Sequence, residues 1–403
     1  MANTHVCSSG KLDINRRSLL LGMGAALAAG RPSLALAAGT STARLVVLNL
    51  RGGLDGLSLV APYGDPNLAP LRGQIMAPAV GKAGGMFDLG GFYGLHPAMP
   101  NLYAMYQAGE AAFVHAVGNI ALTRSHFEGQ DYLQSGAPEL LTTGWLNRVM
   151  GLVPGASGMQ SGISLATCEP LIVQGATITA GWAPDHFPDS GSQFISSLTN
   201  LLAGDSLLAP AYAAGYADRT AFNTLLQSAP MAAGLTAFQQ LAWAAGDFLA
   251  SPQGPRIATI QSDSFDTHAD QVVRLNTGLQ ELDGALLLLK QSLGAAWSNT
   301  VIMTITEFGR TAYANGDSTC GTDHGTAFAV ILAGGAVSGG KVVANWPGLS
   351  ASQLYQGRDL APTTDVRSIA MGVLEAHLGL SAKSMKTVFP GVDVAPLTGL
   401  VTA

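Results

Sequence analysis

The sequence predicts an α/β fold, a mainly parallel sheet with helices on both faces. Three observations lead there. Short β-branched and leucine-rich runs recur between glycines, as expected of strands buried on both faces. Stretches with apolar residues at helical spacing alternate with them. The chain has 403 residues, 48% hydrophobic and only 11% charged, enough for one large core.

The first strand is "ARLVVLNL" (43–50), which runs into the glycine turn "RGGLDG". "AAFVHAVGN" (111–119) is the second strand, ending near "LTRSHFEGQDYLQSG". Ala, Leu and Gln at helical spacing over 197–250 predict helices on or over the sheet, an insertion or lid at about 190–250. "RIATIQS" (256–262) is the third strand, with the loop "DSFDTH" after it. Over 269–296, Val272, Val273, Leu275, Leu279, Leu282, Leu286 and Leu289 mark a helix with one buried face. "NTVIMTIT" and "TAFAVILAGG" are the fourth and fifth strands, and a last helix at about 364–378 follows "PTTD", whose Thr or Asp suits a cap. No internal repeat interrupts this order, so residues 38–403 read as a single domain.

The first 37 residues are read as a targeting segment. Arg16 and Arg17 precede the apolar run "SLLLGMGAALAAG", and Ala35 and Ala37 end it with a small-x-small step. This resembles a Tat-type signal, an ordinary Sec signal being the alternative. It predicts Tat export to a periplasmic or extracellular location, with the Tat translocase as partner during export. The run of 13 residues falls short of the roughly 20 that span a bilayer. Mean hydropathy of +0.28 therefore reflects a large core, and no stable membrane span is predicted.

Without that segment the chain carries 16 basic and 25 acidic side chains, a net charge of −9, and no basic run. Nucleic acid and anionic membrane surfaces are thereby excluded as partners. Cys168 and Cys320 are the cysteines left, too few for a disulfide scaffold or a thiolate zinc site.

Candidate site residues sit at successive strand ends. Asp55 follows the first strand, Thr123, Ser125 and His126 the second, Asp266 and His268 the third, Glu307 and Arg310 the fourth. Asp323 and His324 lie in "GTDHGTA", the loop into the fifth. Carboxyl ends of parallel strands share one edge, so these groups are expected to converge. Carboxylates and imidazoles together suit Zn²⁺ or Mn²⁺, as one or two ions. Two ions about 4 Å apart clamp the attacking and leaving oxygens of an ester displacement. Ser125 or Thr123 at a helix N-terminus is the candidate nucleophile, and Arg51, Arg124 or Arg310 would grip the oxyanion. Plainer readings stand beside these: turn residues for Asp323–His324, a helix cap for Asp266 or Ser125, and an ion pair for Glu307 with Arg310. His96 and His115 read as core or wall residues, and His377 as part of the last helix.

"LRGGLDGL", "LHPAM", "RSHFEGQDYLQSG", "GWLNR", "SFDTHADQ", "EFGRTAYANG", "GTDHGTA", "GGKVVANWPGL" and "TTDVR", spread over about 45–380, resemble the DUF1501 family. Its members are Tat-exported bacterial proteins grouped with the alkaline phosphatase-like superfamily. The resemblance implies a doubly wound sheet with a bimetal site at the strand ends, and cleavage of phosphate or sulfate esters. It implies metal ligation by Asp55, Asp323 and His324 at one ion and by Asp266 and His268 at the other. "LTRSHFEGQDYLQSG" would be the nucleophile loop, with Ser125 adjacent to His126 and Thr123 three before it. Asp55 is set off from its strand by "RGGL", Asp266 and His268 have one residue between them where related mutases have three, and the superfamily's late histidine has no counterpart.

Two functions follow. One is an exported metal-dependent hydrolase, with Ser125, Thr123, His126, Arg310 and Glu307 in catalysis and a small-molecule or glycan ester as substrate. The other is a non-catalytic envelope binding or structural protein on a degenerate form of the same fold.

Overall fold

The structure, a computed structural model, describes residues 42–153, 161–184, 191–227, 233–316 and 320–402, so the targeting segment lies outside the described residues. Among the described residues nine strands form one sheet. They are β1 Arg44–Leu50, β2 Ala111–Gly118, β3 Ile163–Leu165, β4 Ala180–Trp182, β5 Ile257–Ser262, β6 Thr300–Ile305, β7 Phe328–Ala333, β8 Lys341–Val343 and β9 Thr364–Asp365. The order is β8-β2-β7-β6-β1-β5-β3-β4, with β9 also paired to β2. Every pair is parallel except those of β7, which runs against both β2 and β6. The five strands expected from the sequence are all present, and the four additional ones have two or three residues each, too short to show a pattern.

Alternation along β1 shows how the sheet is sandwiched. Val46, Leu48 and Leu50 enter one core and Leu45 and Val47 the other, as period-two side chains must. The described helices are α1 Gly56–Leu59, α2 Leu68–Arg72, α3 Pro100–Gln107, α4 His126–Ser135, α5 Trp145–Met150, α6 Ser192–Leu202, α7 Leu208–Gln227, α8 Ala237–Ala250, α9 Gln271–Leu293, α10 Val366–Leu378 and α11 Ala382–Val388. The first core takes Leu102 of α3, Phe248 of α8 and Leu282 of α9. The second takes Leu146 of α5, Ile369 of α10 and Val388 of α11. Helices thus cover both faces.

The stripe of α9 differs from expectation at its start. Leu275, Leu279, Leu282, Leu286 and Leu289 are buried, each fully buried leucine contributing roughly 1.5–3 kcal/mol. Val272 and Val273 are 52% and 69% exposed. Gln271, four residues before Leu275, continues the stripe instead, so the valines fall off it. The helix starts after Asp270, two residues later than Ala269. Asp365 caps α10 by accepting from Arg367 N at 2.8 Å. In the span expected to be an insertion or lid, α8 buries Phe238, Ala242 and Phe248 as part of the sheet-covering layer, whereas α6 buries no residue.

Candidate metal centre

Register brings the site together. Asn49 of β1 lies level with Gln261 of β5 and Ile305 of β6, so the loops leaving these strands emerge side by side. They carry Gly52, Asp266 and Glu307. Gly52, at φ +108°, lets two of them touch: a Cβ there would lie 2.4 Å from Asp266 N. β2 ends level with Phe328 and leads to α4, which begins with His126 at the same edge. Because β7 is reversed, its amino end, not its carboxyl end, points to this edge. That reversal is what delivers Asp323 and His324 to the site.

One nitrogen of His126, one oxygen of Asp266 and one nitrogen of His324 lie within 4.8 Å of one another. His126 Nδ1 is 2.7 Å from Glu307 Oε1, and its Nε2 is buried without a hydrogen-bond partner, 3.5 Å from Asp266 Oδ2. His324 Nδ1 faces the Arg124 carbonyl at 2.8 Å, which turns Nε2 toward Asp266 Oδ1 at 3.4 Å. His268 covers the cluster from the solvent side. Its Nε2 is 3.1 Å from Asp266 Oδ1 and 2.9 Å from His324 Nε2, and its Nδ1 is 3.1 Å from Asp323 Oδ1.

Second partners hold these groups still. Glu307, 1% exposed, also accepts from Gly52 N at 2.9 Å and Gln130 Nε2 at 2.8 Å. Arg310 donates to Asp266 Oδ1 at 2.5 Å and to the Gly53, Thr322, Phe265 and Gly52 carbonyls. Arg310 therefore pairs with Asp266 and Glu307 with His126; the two do not pair with each other.

Burial opposes ionisation of Asp266, but the facing imidazoles of His126 and His324 and the hydrogen-bonded Arg310 guanidinium overcome it and hold the carboxyl far below the usual range. The Asp266 and Glu307 carboxylates push the His126 imidazole up to about 9, against burial. Burial also works against Glu307, which the His126 hydrogen bond nonetheless keeps below its ordinary value. His96 and His115 are pushed down to about 4 by burial and are neutral members of the interior.

Other expected site residues have different partners. Asp55, 1% exposed, is tied to Arg72, to Ser58 at 2.7 Å and to Gln271 at 2.5 Å, in a buried network apart from the imidazoles. Its charge is matched by the guanidinium, so it is not brought to the cluster. Ser125 caps α4 by accepting from Glu128 N at 3.5 Å, and Thr123 Oγ1 donates to Glu128 Oε2 at 2.7 Å. Arg124 is held by Asp359 at 2.6 Å and by Gln356 at 2.9 Å. Asp266 caps no helix.

Sequence reasoning overlooked Gln130, Arg72, Gln271 and Asp359. Gln130 had a signal: it lies four residues after His126, so both meet Glu307 from one face of α4. Arg72 had none, because its partner is reached only through tertiary packing.

A family model described as "Protein of unknown function (DUF1501)" matches residues 114–389. No curated protein matches. Among solved structures, the PsFucS1 sulfatase from Pseudoalteromonas sp. superposes with a TM-score of 0.37 at 15% identity, over 87% of this chain and 70% of that one. The phosphonate monoester hydrolase of Agrobacterium radiobacter gives 0.33 at 11% identity, over 84% and 74%. The alkaline phosphatase from the Antarctic bacterium TAB5 gives 0.33 at 9% identity, over 75% and 95%. His126, Asp266, His268, Glu307, Asp323 and His324 all fall inside the matched family span, and the chain belongs to the DUF1501 family.

Proposed function

We propose that this protein is an exported hydrolase acting on a phosphate or sulfate ester, with one divalent ion, zinc or manganese, held by His126, Asp266 and His324. The observation that carries the reading is the buried His126 Nε2. It has no hydrogen-bond partner although Nδ1 is fixed by Glu307. A histidine held by a carboxylate on one nitrogen, with the other directed at neighbouring ligand groups, is built for a metal. The donor set of two imidazoles and a carboxylate fits zinc or manganese.

When bound, such an ion supplies Lewis acidity toward an ester oxygen. The chain's own residues do the rest. Glu307 keeps the His126 proton on Nδ1, and the Arg124 carbonyl does the same for His324. Arg310 clamps Asp266. His268, oriented through Nδ1 by Asp323, turns Nε2 into the cluster beside Asp266 and His324, where it can pass a proton to a leaving oxygen. Ser125 stands beside His126 at the start of α4 and is our assignment for the attacking hydroxyl. Thr123 is committed to Glu128. The pairing of Asp55 with Arg72 supports one ion rather than two.

Export rests on Arg16, Arg17 and the Ala35 and Ala37 end of the leader, read as a Tat signal that delivers the folded protein to the periplasm or beyond. No helix of the described residues is long and apolar enough to cross a membrane. A non-catalytic binding protein is the second reading. It is favoured by the arginines: Arg310 and Arg124 are both occupied, so neither is free to grip an oxyanion.

The test is metal content by mass spectrometry of the purified, exported protein beside His126→Ala and His324→Ala, then turnover of phosphate and sulfate esters. Near-stoichiometric metal lost in both variants, with ester turnover in the wild type, is the expected result. A folded wild type that takes up neither zinc nor manganese overturns the metal site. Stoichiometric metal without turnover of any ester leaves the binding reading.

A further inference from the structure

His126 is backed by a carboxylate, Glu307, whereas His324 Nδ1 bonds to a main-chain oxygen, the Arg124 carbonyl at 2.8 Å. A carbonyl aims an imidazole only as firmly as its own peptide is held. The Arg124 peptide stands in the link between β2 and α4, so whatever fixes that link decides how well His324 is aimed.

The Arg124 side chain reaches a buried acid 235 residues away. Its Nε and Nη2 both donate to Asp359 Oδ2, at 2.9 and 2.6 Å, and Nη2 also donates to Gln356 Oε1 at 2.9 Å. Asp359 also joins the backbone that carries His324. It bridges Thr311, and the neighbouring Arg310 bridges His324. Ala312 N donates to the Arg358 carbonyl at 3.1 Å, and Thr311 N to the Asp323 carbonyl at 3.0 Å. His324 is therefore held twice, by its backbone and through its ring, and both holds lead back to Asp359.

Stability does not account for this acid. Asp359 is fully buried. Its Oδ1 has no hydrogen-bond partner among the described residues, Arg358 Nε lying 3.9 Å away. Burial outweighs the Arg124 bond and leaves the carboxyl above its ordinary value, so its ionisation weakens the folded state. Gln356 adds strain, with φ at +54° in the left-handed region. A buried charge that weakens the fold and is tied to one imidazole has position as its role.

We propose that Asp359 is the positioning residue for His324, acting through the Arg124 peptide as Glu307 acts on His126 directly. Its part in metal binding rests on the hydrolase reading; the orientation of the ring does not. Two measurements on the full chain separate them. Long-range proton–nitrogen NMR of metal-free protein carrying isotope-labelled histidine reads the proton on each imidazole nitrogen, with His324→Gln assigning the His324 signals. Chelator competition reads zinc affinity. Wild type, Asp359→Asn, Arg124→Gln and the double variant are compared, each checked for folding by circular dichroism.

Wild type is expected to show a His324 Nδ1–H protected from exchange. That protection should be lost in each variant while His126 keeps its own, and zinc affinity should fall about tenfold. The double variant should lose no more than Asp359→Asn alone, because the two side chains act as one unit. An unaltered His324 Nδ1–H in the folded variants, or none in wild type, overturns the positioning role. Additive losses in the double variant overturn the path through Arg124. If Asp359→Asn does not fold, Arg124→Gln alone decides by the same criteria. A wild type that takes up no zinc, yet protects the His324 proton and loses that protection in the variants, overturns only the metal site of the hydrolase reading.

Discussion

Glu307 Oε1 lies 2.7 Å from His126 Nδ1, and the same carboxylate is gripped by Gln130 one helical turn further along α4. A buried acid that reads two successive turns of one helix fixes both the rotation of the imidazole and its tautomer. The consequence is an Nε2 aimed at the cluster before any ion arrives, and the proton on Nε2 is the one an ion would displace.

Neutralising that acid should weaken the centre without dismantling it. Glu307→Gln keeps the shape and an acceptor for Nδ1 but removes the charge. Zinc affinity, measured by competition with a chromophoric chelator, is expected to fall 10- to 100-fold, the usual range for such partners, with the circular dichroism spectrum unchanged. Unaltered affinity would show that His126 is not a ligand.

The raised imidazole makes metal binding and stability respond to pH in opposite ways. His126 is pushed up to about 9, so at neutral pH an ion must displace its proton. Apparent zinc affinity is expected to rise about tenfold per pH unit between roughly 6.5 and 9 through this group. In the chelator-treated protein the folded value exceeds the unfolded value. The imidazolium's contribution is therefore complete below about 6.5 and lost as pH rises through about 9, at most about 3 kcal/mol. Thermal melts across this window, with and without zinc, check both signs.

Asp55 and Arg72 should behave as structure, not as site. Asp55→Asn leaves a buried guanidinium without its counter-charge, and a loss of about 3–5 kcal/mol in denaturant unfolding is expected. The folded fraction should keep its metal. Metal lost from a protein of wild-type stability would instead return Asp55 to the ligand set.

The glycines around Asp323 and His324 answer to backbone contact. A Cβ on Gly325 would lie 2.4 Å from both the carbonyl carbon and oxygen of Arg310, where His324 and Arg310 form an antiparallel bridge. Gly325→Ala must move the His324 loop or the Arg310 loop. Metal affinity is expected to drop by at least about tenfold, read by the same chelator competition. Retained affinity would mean that the two loops are not held in register by this contact.

Much of the fold was legible because strands buried on both faces are written as uninterrupted apolar runs. β1, β2, β5, β6 and β7 stand within two residues of their expected ends. The leucine stripe of α9 was legible too, except at its first turn, where Gln271 rather than a valine faces inward. A glutamine there makes sense only once Asp55 is seen beside it. β3, β4, β8 and β9 left no trace, since two or three residues carry no periodicity.

By itself the sequence determined which residues could meet: glycine-rich loops at strand ends, carrying acids and imidazoles in a chain poor in charge. Only the tertiary structure decided which of them do. A fully parallel sheet would send the loop before β7 to the far edge, away from Asp266. The antiparallel course of β7 brings His324 across, and long-range packing hands Asp55 to Arg72. Strand direction and the choice of a buried counter-charge are set by contacts between segments far apart in sequence, and local pattern holds no record of them.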